Sequence, residues 1–232
     1  MTTEAPYILE FYFVAFLDLL GFSNMVKSDC EAPSDSNSFI KKLFDVYRYT
    51  NDVHKGRENI DITQFSDSIV FSMLYSKDRF PSFIKIISSF QYDLFKKGLL
   101  CRGGVAYGKH FSSEGFLFSN GLIEAYRLEK NYAKYPRIIV SKDLLDLIYK
   151  NEEIDKEIPM IKENDELFFI DFLNNKSIIE ITTVLKSIMA SNKSSDPSVK
   201  EKHRWLLEYY DFKASCSMEE NTKLASPRFS VI

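Results

Sequence analysis

A nearly continuous apolar run dominates the start of the chain. Residues 8–18 (Ile-Leu-Glu-Phe-Tyr-Phe-Val-Ala-Phe-Leu-Asp) break pattern only at Glu10 and Asp18 and lead into Leu-Leu-Gly-Phe-Ser. Such a run, without polar alternation, predicts a central strand buried on both faces. Residues 28–37 are polar, with Pro33, Asp35 and Ser36, and predict a loop. Phe39, Leu43, Val46, Tyr47 and Thr50 then recur at helical spacing. They predict a helix over 38–54, with Ser36 or Ser38 as its cap. Residues 60–74 contain two β-rich runs on either side of Ser66-Asp67, a hairpin with the polar pair at its tip.

Residues 80–97 carry Phe83, Ile86, Ile87, Phe90 and Leu94 on one side and end in Lys-Lys-Gly, the signature of a helix C-terminus. Leu99–Tyr107 predicts a strand carrying Arg102-Gly103-Gly104. A turn near 112–115, a short strand and a helix over about 119–131 follow. Strands are predicted at 138–140 and 167–172, and helices from Ser141, over 176–190 and over 197–212. The order predicts an α+β fold, a mixed sheet covered by helices. Residues 1–212 form the expected domain, and 213–232 a polar, poorly ordered tail.

Composition narrows the function classes. A chain of 232 residues suits one large domain, and 45% hydrophobic with 27% charged residues is ordinary for a soluble protein. The 20 Phe and 13 Tyr predict a ring-rich core. A net charge of −3 supplies no global basic surface, which argues against a nucleic-acid partner. Cys30, Cys101 and Cys216 are far apart and fit no zinc spacing, so they read as reduced thiols. His54, His110 and His203 are isolated and read as surface or core residues. The 8–20 stretch is too short to span a bilayer and lacks the features of a signal peptide, so the expected location is cytoplasmic, with no membrane partner.

The candidate chemistry lies where polar residues interrupt apolar runs. Asp18 follows six mostly apolar residues, and a carboxylate there is costly to bury without a partner or a cation. Asp67 sits between Ser66 and Ser68 at the hairpin tip. If the two strands are neighbours, both carboxylates converge on one sheet edge and suit Mg²⁺ or Mn²⁺. Gly21, Phe22 and Ser23 supply a tight turn and backbone N–H groups at a helix start, an arrangement that binds phosphate. Arg102 inside an apolar strand needs an anion, either a structural acid or a substrate. Gly103 and Gly104 allow a ligand or another backbone to approach closely. Taken singly, Asp18 also fits an Asx turn or a helix cap, and Ser-Asp-Ser an ordinary hairpin turn.

Phe16-Leu-Asp18-Leu-Leu-Gly21-Phe22-Ser23 resembles the first metal motif of class III adenylyl and guanylyl cyclases. Gln64-Phe-Ser-Asp67-Ser, 49 residues on from Asp to Asp, is similar to their second. Cys101-Arg-Gly-Gly-Val-Ala-Tyr-Gly108 resembles their next strand, and Ala125-Tyr-Arg127-Leu-Glu the helix that carries a transition-state Arg. Phe-Ser-Asp-Ser, Arg-Gly-Gly, Glu-Ala-Tyr-Arg-Leu-Glu and Lys202-His-Arg-Trp-Leu-Leu-Glu-Tyr-Tyr look closest to the bacterial pyrimidine cyclases of the Pycsar antiphage system. The resemblance covers roughly residues 10–212.

The resemblance implies a ferredoxin-like core and two divalent cations, Mn²⁺ or Mg²⁺, held by Asp18, Asp67 and the Leu19 carbonyl. It implies that Gly21, Phe22 and Ser23 face the β- and γ-phosphates, that Arg102 contacts substrate, and that Asp18, Asp67 and Arg127 are catalytic. It further implies a homodimer with composite sites, conversion of UTP or CTP to the 3′,5′-cyclic monophosphate and pyrophosphate, and a separately encoded effector activated by that product. UTP is the favoured substrate. Two positions depart from the purine enzymes, which carry Lys where this chain has Thr63 and Asn where it has Ile123. Ile123 leaves open whether Arg127 acts in catalysis or pairs with a Glu on its own helix. The alternatives are a purine cyclase, a non-catalytic cyclase-like nucleotide-binding module, and an α+β domain with no nucleotide role.

Overall fold

The structure is a computed structural model that describes residues 7–33, 38–54, 60–150, 153–191, 195–217 and 228–231. The apolar run forms β1 (Glu10–Leu19), at the middle of a nine-stranded sheet. Helices α1 (Phe22–Glu31) and α2 (Phe39–His54) lead to the hairpin β2 (Ile60–Phe65) and β3 (Ser68–Leu74). Helix α3 (Phe80–Lys96) then precedes β4 (Cys101–Ser113). These strands lie in the order β2-β3-β1-β4 and all pair antiparallel. With α2 and α3 as crossovers, this is the β-α-β-β-α-β arrangement of a ferredoxin-like unit.

The rest of the chain extends that unit. Strand β5 (Phe116–Ser119) folds back on β4, and α4 (Asn120–Tyr132) follows. Then come β6 (Ile138–Val140), α5 (Lys142–Tyr149), β7 (Met160–Glu163), β8 (Phe168–Ile170), α6 (Ile178–Ser191), α7 (Pro197–Ser217) and β9 (Phe229–Val231). Beyond β4 the order is β6-β8-β7-β9, with β6 parallel to β4 and the other pairs antiparallel. The fold is therefore α+β with a mixed sheet, as the pattern predicts.

Alternation along β1 sorts its side chains between two faces. Phe13, Ala15, Leu17 and Leu19 enter one core with α2, α3 and α5. Val14, Phe16 and Asp18 face the opposite way, where Phe16 meets the Tyr126 ring of α4 edge-on at 5.4 Å. A second core, built from Phe169, Phe172, Trp205, Tyr209 and Phe229, anchors α6 and α7. Among the described residues, no helix is long and apolar enough to cross a membrane.

The structure corrects several expectations. The 28–37 loop begins only after α1, whose last turn covers Ser28–Glu31; α1 has no fully buried residue, so its pattern carries little apolar signal. The first-turn amides of α2 are capped by Asp29, whose carboxylate accepts from Ile40 N at 2.8 Å and Ser38 N at 3.3 Å, rather than by a Ser38 side chain. Ser36 lies outside the described residues. Strands β7 and β9 were not expected. Parts of the tail from 213 belong to the fold: α7 continues to Ser217, and Phe229–Val231 pairs with β7. The physical reason is Glu163, 3% exposed, which accepts from Arg228 Nε at 2.7 Å and Trp205 Nε1 at 3.1 Å and also pairs with Arg137. Residues 218–227 lie outside the described residues.

Candidate active site

Strand register builds the site. Asp18 stands opposite Ser68 on β3 and opposite Arg102 on β4. Asp67, next to Ser68, is the second residue of the two-residue hairpin turn, and Ser66 before it takes a left-handed φ of 55°. The Asp67 carbonyl accepts from Leu19 N at 2.9 Å, which ties the hairpin tip to the end of β1. The two carboxylates thereby stand at the same end of the β1–β3 pair and line one cavity. Burial pushes the Asp18 carboxyl above the usual carboxylate range; Arg102 pulls it back, and neighbouring Asp67 raises it again.

Arg102 has structural acids as partners. Its Nε lies 2.9 Å from Asp18 Oδ2 and 2.8 Å from Glu129 Oε1 on α4. The contact with Glu129 is an ion pair rather than a directed hydrogen bond. Glu129 is 4% exposed. Burial raises its carboxyl, and Arg102 is the largest influence in the opposite direction. Arg102 thus offsets two acids that the fold removes from water.

The chain leaves β1 through Leu20, whose N–H donates to Leu100 O at 2.8 Å, and turns at Gly21 with φ 78°. Only glycine enters that left-handed region without cost. Gly21 is the N-cap of α1, and no side chain caps that end. Asn24 N and Met25 N both bond to Gly21 O at 3.1 Å. The amides of Phe22 and Ser23 come before the first intrahelical bonds and sit at the positive end of the helix.

Asp18, Leu19, Gly21, Phe22, Ser23, Asp67 and Arg102 all line one cavity of about 700 Å³. Arg127 does not line it: its side chain is 63% exposed and pairs with Glu124 at 2.6 Å. Ile123, on the same helix, is 52% exposed. The Arg102-Gly-Gly glycines serve backbone packing. A Cβ on Gly103 would lie 2.4 Å from Phe16 O, and one on Gly104 would lie 2.3 Å from Ala125 O.

Three functional candidates lay beyond the sequence reading. Glu129 was quoted only within a motif, and its signal is an acid on the inward side of α4, one turn from buried Ala125. Lys202 and His203 of α7 line the same cavity; they too were quoted only within a motif, which does not announce so distant a contact. A separate groove of about 660 Å³ between α1 and α2 is lined mainly by apolar side chains such as Met25, Leu43 and Phe44 and lacks an acid pair.

Among the described residues, no group of three or more His, Cys, Asp or Glu side chains forms a ready-made metal site. Two adjacent hard carboxylates beside a helix N-terminus do fit Mg²⁺ or Mn²⁺ whose remaining ligands come from water and substrate phosphate.

No family model matches the chain, and no curated protein matches it in sequence. Among solved structures it is similar to the adenylyl cyclase CyaB from P. aeruginosa, at 13% identity and TM-score 0.49, over 70% of this chain and 94% of that one. It is also similar to a bacterial light-regulated adenylyl cyclase, at 12% identity and TM-score 0.46, over 78% and 99% of the two chains. A third is the guanylate cyclase domain of RhGC from Catenaria anguillulae in complex with GTP, at 11% identity and TM-score 0.44, over 69% and 96%. Likenesses at this level assign no activity to the chain.

Proposed function

We propose that the chain is a metal-dependent nucleotidyl cyclase. It converts a pyrimidine nucleoside triphosphate, UTP in preference to CTP, to the 3′,5′-cyclic monophosphate and pyrophosphate. The observation that carries this reading is the juxtaposition of Asp18 and Asp67 at the start of α1, in a cavity large enough for a nucleotide.

In this reading Asp18, Asp67 and the Leu19 carbonyl hold two divalent ions. When bound, the ions neutralise the triphosphate and lower the pKa of the ribose 3′-hydroxyl. Without them, two carboxylates would repel a polyanion. The Phe22 and Ser23 amides, with Gly21 at the turn, hold the β- and γ-phosphates against the positive end of α1. The 3′-oxygen attacks the α-phosphorus, the bond from that phosphorus to the α,β-bridging oxygen breaks to release pyrophosphate, and the 3′ proton passes to water. Arg102 uses Nε for Asp18 and Glu129, and its Nη donors offset the charge that develops on the α-phosphoryl group. Arg127, exposed on α4, acts on the site of a second copy, so the working unit is a homodimer with composite sites. The preference for pyrimidine, the role in antiphage defence and the separately encoded effector follow from the sequence resemblance.

One observation favours a second reading, a nucleotide-binding module without catalysis: Asp18 is already paired with Arg102. The two are separated by incubating pure protein with Mn²⁺ and each of the four nucleoside triphosphates. The cyclase reading expects one cyclic pyrimidine product, abolished in Asp18→Ala and in Asp67→Ala while both variants stay folded. Binding without any product supports the module. A cyclic purine overturns the pyrimidine preference. Near wild-type turnover in either variant removes that residue from the metal site.

A further inference from the structure

The cavity has a second wall, formed by helices outside the ferredoxin-like unit. Helix α7 presents Val199, Lys202 and His203 to it, at positions i, i+3 and i+4 of one helical stripe. The adjoining stripe of α7, three, four and seven residues on from Lys202, is locked in the core. Trp205, Leu206 and Tyr209 are fully buried, and Tyr209 Oη accepts from Leu173 N at 3.2 Å. Lys202 is therefore mounted on a rigid helix, three residues from a buried Trp.

The charges of the cavity leave a distinct role for it. Among the described residues lining it, the basic side chains are Arg102, Lys202 and His203. Arg102 is held between Asp18 and Glu129. Burial lowers the pKa of His203, which favours its neutral form. Lys202 has no carboxylate partner among the described residues; its Nζ is steered by Ser198, 2.5 Å from Oγ and 3.3 Å from the carbonyl oxygen. A lysine and an uncapped helix start that line one cavity are together complementary to an extended polyanion.

We infer that Lys202 binds the terminal phosphates of the triphosphate, together with the α1 amides that line the same cavity, and so holds the part of the substrate that departs as pyrophosphate. The inference rests on reading the cavity as a nucleoside triphosphate site. It makes the C-terminal helix part of the substrate site rather than only a cover for the sheet.

The test measures binding to the full chain by calorimetry in Mn²⁺. The probes are the 3′-deoxy nucleoside triphosphates, which cannot cyclise, the matching nucleoside monophosphate, and inorganic tripolyphosphate. One charge-assisted hydrogen bond corresponds to about a 10- to 100-fold loss of affinity. Lys202→Ala and Lys202→Met, which keeps the aliphatic stem, should each weaken triphosphate and tripolyphosphate binding by about that factor. Monophosphate affinity should stay within about twofold, and Lys202→Arg should restore most of the loss. Unchanged tripolyphosphate affinity in both neutral variants, with wild-type binding and cyclisation intact, overturns the role of Lys202 and leaves the cyclase reading standing. An equal loss for monophosphate and tripolyphosphate also overturns it. A folded wild-type protein that binds neither triphosphate nor tripolyphosphate overturns both readings.

Discussion

Gly104→Ala tests whether the glycine pair after Arg102 exists for helix packing or for a ligand. A methyl group at Gly104 would lie 2.3 Å from Ala125 O and 2.7 Å from Leu128 Cβ on α4, whereas ordinary contacts begin near 3.4 Å. Helix α4 would have to retreat by about 1 Å, since neither the carbonyl nor a Cβ can swing aside as a side-chain tip can. Overpacking of this kind costs about 1–3 kcal/mol, and contact with backbone places Gly104 at the upper end. For a chain of this size, about 3 kcal/mol lowers the melting temperature by roughly 6–12 °C. Retreat of α4 also draws Glu129 away from Arg102, so Asp18 loses part of its setting. The assay is thermal and urea unfolding of wild type, Gly104→Ala and Gly115→Ala. Gly115 is the control: it has φ 84° but nothing within 4 Å of an added Cβ, so only local strain of about 1 kcal/mol applies. A Gly104→Ala protein no less stable than Gly115→Ala would refute the packing account and return the glycines to a ligand role.

Two further outcomes follow from the structure. His110 is 1% exposed, lies tilted against the Tyr12 ring at 4.9 Å and has no hydrogen-bond partner on either ring nitrogen among the described residues. Burial lowers its pKa below that of an ordinary imidazole, against a smaller opposing pull from Asp61. The folded state then takes up fewer protons than the unfolded chain below about pH 6.5, so stability is full above that pH and falls on acidification. His110→Phe should flatten the drop in urea midpoint between roughly pH 6.5 and 5; an unchanged drop would assign it to other groups. Arg127→Ala should unfold like wild type, because an exposed i,i+3 pair contributes little. Mixing inactive Arg127→Ala with inactive Asp67→Ala should regain about a quarter of wild-type activity if sites are composite, since half the dimers then carry one intact site of two. No recovery after subunit exchange would contradict Arg127 acting across an interface.

Legibility from sequence tracked how local each signal was. The apolar run before Asp18 and the two β-rich runs around Ser66-Asp67 are self-contained, and both elements form as read. That Asp18 and Asp67 meet was inferred from motif order, and the register between β1 and β3 supplies the physical cause. Arg102 and its glycines were legible as unusual, but the sequence could not choose between ligand and protein partners. Glu129 supplies a protein partner for the Arg102 Nε, and the α4 backbone is the close neighbour of Gly104. Strands β7 and β9 were missed because four- and three-residue strands carry almost no periodicity and exist through pairing. The tail was read from its polar composition, which does not show that Arg228 pairs with buried Glu163. Lys202 and His203 reach the cavity only through the docking of α7, which depends on Trp205 and Tyr209 filling the second core.

The most direct test of the central claim is a product balance. Pure protein, Mn²⁺ and UTP should yield 3′,5′-cyclic UMP and pyrophosphate in equal amounts, with turnover stopped by chelation and restored by added Mn²⁺. 3′-Deoxy-UTP should bind yet give neither product. Release of UMP or UDP without cyclic nucleotide, or no turnover of any nucleoside triphosphate by protein that binds it, would contradict metal-dependent cyclisation at Asp18 and Asp67.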